Sequence, residues 1–137
     1  MEGNTIYAAL LGLGTVGGGV YKVLKSQEPE MENKLGVKVK LKKILVRNLE
    51  KAAGKVDDPG LLTNSWKEIV DDPEIGIVIE VMGGMEPAKT YILEALKAGK
   101  QVVTANKDLI ASEGKILMDT AGEHGCDFLF EAAVAGG

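Results

Sequence analysis

The chain has too little of several residue types to support some common functions. Its one cysteine, Cys126, excludes an internal disulfide and fits a reducing compartment. Its one histidine, His124, has no second histidine or cysteine cluster to complete a metal site, and a surface position is expected for it. No apolar stretch reaches the ~18 residues that a membrane span needs. The N-terminus lacks a basic segment followed by an apolar one, so no secretory signal is read there. Basic residues are not in excess either. Sixteen Lys and Arg face twenty Asp and Glu, a net charge of −4, which argues against a nucleic-acid or membrane-surface partner. The expected location is the cytoplasm.

Glycine is what the chain has in plenty. There are 18 in 137 residues, arranged neither as a collagen repeat nor as a linker. Such numbers mark tight turns and places where backbone must approach something closely. The length suits one domain, residues 1–137, able to bury roughly two-thirds of its unfolded surface.

Along the chain, apolar runs alternate with helical spacing. Thr5 to Leu11 reads as a buried strand ending at Gly12. From Thr15 the spacing of Val16, Val20, Val23 and Leu24 predicts a helix that fades around Pro29 to Lys34. Val37 to Val46 is a second strand, half exposed at its start, and Arg47 to Gly60 is polar and irregular. Ser65 to Val70 is a short helix with Ser65 and Glu68 spaced as a capping box. Ile75 to Met82 is the most strand-like segment. Pro87 then suits a first helical position, in a helix that runs to Ala98 and stops at Gly99. Gln101 to Thr104 is a strand, Lys107 to Gly122 a helix broken near Gly114, and Cys126 to Glu131 a last strand.

This alternation means βαβ units, and right-handed crossovers give an α/β domain with a doubly wound, mainly parallel sheet and helices on both faces. Ligands of such sheets lie at the carboxyl ends of the strands. Gly12 to Gly17, Arg47, Gly83-Gly84 and Thr104 to Lys107 all fall there.

Gly12-Leu13-Gly14-Thr15-Val16-Gly17 fits G-x-G-x-x-G, a weak pattern in so glycine-rich a chain. Its place between the first strand and a helix is what gives it weight, because that is the Rossmann-type setting. Gly12 would permit the sharp turn, Gly14 would let a pyrophosphate reach the backbone, and Gly17 would let the helix lie close on the sheet. Backbone N–H groups at Gly14, Thr15 and Val16, with the helix dipole, favour phosphate. The second strand ends Leu45-Val46-Arg47-Asn48, with no carboxylate before Glu50 to hold a ribose 2′-OH. The Arg47 guanidinium suits a 2′-phosphate, with Lys51 near it, so NADP(H) is favoured over NAD(H). A solvated loop arginine is the plainer alternative.

Lys107 follows Thr104-Ala105-Asn106, with Asn106 a plausible N-cap. A cation in a helix's first turn opposes the dipole, which suggests a use. It could hold a cofactor or substrate oxygen or carry a proton, and a lysine pointing to water is the bland alternative. Glu131 closes the last strand and, with backbone carbonyls nearby, could hold a hard cation, although a strand end and a turn is the simpler reading. Cys126 has no base beside it and reads as buried and inert, and Trp66 reads as core or rim.

Four segments together resemble the N-terminal domain of homoserine dehydrogenase: GLGTVGGGV (12–20), VIEVMGG (78–84) with Glu86-Pro87-Ala88, VVTANKDLIA (102–111) and FEAAVAGG (130–137). The resemblance covers the whole chain in order and spacing, and its TANK and EAAVAGG segments are far more specific than its glycine loop. It implies an oxidoreductase that interconverts L-homoserine and L-aspartate 4-semialdehyde with NAD(P)(H), in the branch leading to threonine and methionine. It further implies that Thr15 and Val16 contact the cofactor diphosphate, and Arg47 the adenosine end. Lys107 would serve near the nicotinamide and substrate, in cofactor binding and catalysis. Glu131, Val134 and Gly136 would bind a structural sodium ion, two of them through backbone carbonyls. In this family a substrate and dimerisation domain follows, which implies a homodimer for the full-length protein. The sequence therefore reads as a truncated piece, expected to bind cofactor but to turn over negligibly. The alternatives are the first domain of another NAD(P) oxidoreductase, of aspartate-semialdehyde or dihydrodipicolinate type, and a non-catalytic nucleotide-sensing domain.

Overall fold

Alternation along the first strand accounts for the layering of the whole domain. In β1 (Thr5–Leu11), Ala8 and Leu10 face one side and pack with Tyr21, Ile44 and Ala52. Ala9 and Leu11 face the other side and pack with Ile92, Leu96 and Leu117. All four of these residues are fully buried, so the second half of the strand is apolar on both faces, while Thr5 to Tyr7 remain partly exposed. Each large aliphatic side chain buried this way contributes about 1.5–3 kcal/mol.

The structure is a computed structural model that describes residues 5–14, 18–19, 21–22 and 38–130. After β1 and the helical residues Gly18, Gly19, Tyr21 and Lys22 come β2 (Lys38–Leu45) and α1 (Leu49–Ala53). A 3-10 turn (Pro59–Leu61), β3 (Leu62–Thr63), α2 (Trp66–Val70) and β4 (Ile75–Glu80) follow. The remaining elements are α3 (Ala88–Lys97), β5 (Gln101–Thr104), α4 (Lys107–Glu123) and β6 (Phe128–Phe130). The sheet order is β3-β2-β1-β4-β5-β6, and every ladder is parallel. Successive strands build outward from β1 in one direction and then, from β4, in the other. The crevice where the direction changes opens between the carboxyl ends of β1 and β4. Among the described residues, no helix is long and apolar enough to cross a membrane.

The structure departs from the sequence expectations in several places: β3 is a strand where none is expected, β4 stops at Glu80 short of Met82, and β6 starts at Phe128 instead of Cys126. Residues 47–60 are not wholly irregular: Asn48 caps α1 by accepting from the Lys51 N–H at 3.0 Å, and Asp58 starts the 3-10 turn by accepting from the Gly60 N–H at 2.9 Å. The capping box at α2 does not form. Ser65 makes no side-chain cap bond, and Glu68 instead accepts from Thr63 Oγ1 at 3.0 Å. Helix α4 runs unbroken through Gly114, whose missing Cβ would meet only Ile110 Cγ2 at 3.8 Å. One interior glycine costs about 1 kcal/mol of helix propensity, which the packing of Leu109, Leu117 and Ala121 offsets. Pro87 stands just before α3, not in its first turn. Gly99, with φ of +85°, ends that helix as expected.

Candidate dinucleotide site

The carboxyl edge of the sheet is built by strand ends that continue the ladder into the loops. The Gly12 N–H donates to Leu45 O at 2.9 Å, and the Val81 N–H donates to Leu11 O at 3.1 Å. The Ala105 N–H likewise donates to Glu80 O at 3.1 Å. The loops after β1, β2, β4 and β5 thus leave the sheet at one level.

Gly12 turns the chain out of β1 at φ +105°, a conformation that side chains rarely adopt. A Cβ there would also meet Met82 Cγ at 3.2 Å and Met82 Cα at 3.3 Å. The loop and the Met82 backbone are therefore packed in direct contact. At Gly14 the opposite holds: a Cβ would meet nothing within 4 Å. Gly14 is exposed, and its carbonyl accepts from the Gly18 N–H at 2.8 Å as the helix begins. This is a bare backbone opening onto solvent at the start of a helix, a cradle into which a diphosphate fits. Thr15, Val16 and Gly17 lie outside the described residues.

The cradle floors a cleft of about 980 Å³, the size class of a small-molecule cofactor site. On the β2 side, Arg47, Lys51 and Lys55 line it, and Lys55 Nζ donates to Leu13 O at 3.4 Å. Arg47 is exposed in the turn before α1, where a guanidinium can reach an incoming anion. Lys55 was missed from the sequence, because its stretch read as featureless loop. On the β4 side the wall is Met82, Gly83, Pro87 and Tyr91. Tyr91 is backed by Trp66, stacked at 4.5 Å between ring centroids, and Trp66 Nε1 donates to Glu94 Oε1 at 2.7 Å. Trp66 is accordingly a half-buried rim residue.

Lys107 does not line this cleft; it stands exposed at the neighbouring strand end, in the first turn of α4. Asn106 is the expected cap, its Oδ1 accepting from the Leu109 N–H at 3.2 Å. Its Nδ2 does something the sequence did not suggest and donates to Gly84 O at 2.6 Å. Gly83 and Gly84 both have positive φ, +78° and +75°, which makes theirs a turn that glycine suits best. Beneath it lies Glu80, fully buried. A single carboxylate ending a β-branched run was the available signal for it.

Cys126 is buried, and burial pushes its thiol up from the ordinary 9.0, in line with an inert residue. His124 is exposed at the end of α4. Glu131, Val134 and Gly136 lie outside the described residues. Among the described ones, no group of three or more His, Cys, Asp or Glu could hold a metal ion.

A sheet of this order, with a glycine cradle at its switch point and a cationic wall beside it, defines a dinucleotide-binding domain of the Rossmann type. A family model described as the NAD binding domain of homoserine dehydrogenase matches residues 12–131. The chain belongs to that family, whose cofactor class is nicotinamide dinucleotide. It is 48% identical to the homoserine dehydrogenase of Bacillus subtilis over 98% of this chain and 31% of that protein. The crystal structure of a homoserine dehydrogenase from Thiobacillus denitrificans superposes with a TM-score of 0.87 at 44% identity, covering 94% of this chain and 30% of that one. A hyperthermophilic archaeal homoserine dehydrogenase in complex with NADPH shares the fold, with a TM-score of 0.75 at 23% identity over 94% of this chain and 44% of that one. The chain thus spans about a third of the length of the curated relatives it matches.

Proposed function

We propose that residues 1–137 serve as the cofactor domain of an enzyme that interconverts L-homoserine and L-aspartate 4-semialdehyde, with NADP(H) preferred to NAD(H). The observation that carries this reading is the open backbone at Gly14, set between the turn at Gly12 and the cationic wall of the cleft. When bound, the nicotinamide donates or accepts the hydride.

The chain's own residues bind, orient and handle charge. Backbone amides from Gly14 through Val16 are assigned to the diphosphate, with Gly17 assigned the role of letting the helix lie close on the sheet. Arg47 is assigned to the adenosine 2′-phosphate by its forked geometry, with Lys51 and Lys55 adding charge. Gly83 leaves room on the β4 side. Lys107 is assigned to the substrate oxygen, where its ammonium would favour a developing alkoxide or hold its proton. The sodium assignment to Glu131, Val134 and Gly136 is supported by the oxygen-only donor set that hard cations take. A homodimer of the full protein belongs to the same reading.

Calorimetric titration of this chain with NADPH and NADH, beside an Arg47→Asp variant, tests the cofactor assignment. Wild type should prefer NADPH. The variant should lose roughly 10- to 100-fold of that affinity, the worth of a charged hydrogen-bonding group, and keep its affinity for NADH. A wild type that prefers NADH, or a variant that changes nothing, removes Arg47 from the site.

A further inference from the structure

We infer that Glu80 is a positioning residue for the nicotinamide half of the cofactor: it locks the Gly83–Gly84 turn to the start of α4, so that Lys107 and the cleft keep one fixed relation. The inference rests on reading the cleft as a dinucleotide site.

Glu80 ends the fourth strand, in the middle of the sheet, and is 0% exposed. Its Oε1 accepts from Thr104 Oγ1 at 2.5 Å, while its Oε2 accepts from the Met82 N–H at 2.9 Å and the Gly83 N–H at 3.1 Å. Its partners among the described residues are thus one hydroxyl and two backbone amides, none of them a cation. Thr104, also 0% exposed, passes the connection on, because its Oγ1 accepts from the Asn106 N–H at 3.0 Å. Asn106 returns it to the turn by donating from Nδ2 to Gly84 O. Glu80, Thr104, Asn106 and the glycine turn therefore form a closed ring that joins the ends of β4 and β5.

Burying a carboxylate is unfavourable unless its oxygens are satisfied, so its presence needs a reason. The neighbouring strands supply a contrast. Leu11, paired with Glu80 in the sheet, and Leu45, paired with Leu11, end β1 and β2 with apolar side chains. Among the described residues, a closed polar ring joining two strand ends occurs at β4 and β5 and not between β1 and β2. With Arg47, Lys51 and Lys55 on the β2 side to take the adenosine phosphate, and the glycine cradle at β1 to take the diphosphate, the other half of a dinucleotide falls over β4 and β5. The ring lies directly beneath that half and sets the first turn of the helix that carries Lys107.

The position of the ring predicts a split between the two halves of the ligand. Titrations of this chain with NADPH and with adenosine 2′,5′-bisphosphate, which carries only the adenosine end, read that split. Glu80→Gln should weaken NADPH binding by about tenfold, as a misplaced binding group does, and leave the bisphosphate within about twofold. Thr104→Val, which removes the hydroxyl while keeping the shape, should give the same split, and Thr104→Ser should restore wild-type binding. Should Glu80→Gln not fold, the threonine pair carries the test. Equal losses for both ligands, or no loss for either, overturn the inference while the cleft reading stands. A wild-type chain that binds neither ligand overturns the cleft reading, and the inference with it.

Discussion

Two charged side chains are buried at opposite edges of the sheet, and comparing them separates support from function. At the amino edge Lys100 is 4% exposed and donates to Asp72 O at 2.7 Å and to Ile75 O at 2.6 Å. Burial pushes its ammonium down from the ordinary 10.5. At the carboxyl edge Glu80 accepts from backbone amides in much the same manner. Each side chain bonds main-chain groups, Glu80 with the Thr104 hydroxyl besides, and pins a loop to a strand. Yet Lys100 pins ordinary loops beside the surface ion pairs of Lys42 with Asp72 and Glu74. Glu80 pins a double-glycine turn beside an open cleft. Similar chemistry thus closes the molecule at one edge and frames an opening at the other.

If that division holds, variants at the two edges should affect different measurements. Gly14→Val should have the largest effect on binding. It puts a branched side chain where a phosphate must lie, and should cost on the order of 100-fold in NADPH affinity by calorimetry. Because a Cβ there meets nothing, the melting temperature should stay within about 2 °C. A large drop in melting temperature would show that the cradle is part of the fold's support after all. Lys100→Met should do the reverse. Denaturant unfolding should show a loss of roughly 2–3 kcal/mol, as two buried carbonyls lose a charged donor, while affinity per folded molecule stays unchanged. Weakened cofactor binding in that variant would dissolve the contrast.

The smallest effect concerns acid. Lys42 hydrogen-bonds the Asp72 carboxyl and, against the opposing effect of burial and with help from the Glu74 N–H, holds it below the ordinary 3.8. A carboxyl lowered in the folded state contributes stability that is complete above its unfolded value and lost as pH falls through its folded one. Asp72→Asn should therefore flatten the fall in melting temperature below about pH 4, by a few degrees at most, because water still screens part of this half-buried pair. Parallel curves for variant and wild type would show that Asp72 is not the group responsible.

Most of the framework was legible because it depends on short-range patterns. β-branched runs mark β4 and β5, lysine alternation marks β2, and the glycine signature before a helix marks the cradle. The misses share a different cause. Thr63 captured Glu68 from Ser65 because the end of β3 brings them together, which spacing along one helix cannot reveal. Packing carried α4 across Gly114 against its local propensity. Glu80 and Lys100 do not stand out in the sequence, because nothing local marks a glutamate or lysine as buried until the partners that satisfy it come into place. Asn106 was seen as a cap from local sequence, but its bond to Gly84 spans 22 positions and follows only from the ordering of the strands.

The all-parallel ordering also bears on how the chain reaches its final form. Of the described strands the inner β1 comes earliest in the chain, but one of its two neighbours, β4, begins only at Ile75. Among the described residues no strand pair closes through a tight hairpin, so each ladder must wait for a crossover. Such distant pairings slow the search for the native state. While that search lasts, Ala8 to Leu11, which becomes the hidden centre of the domain, is an uncovered, adhesive stretch of nascent chain.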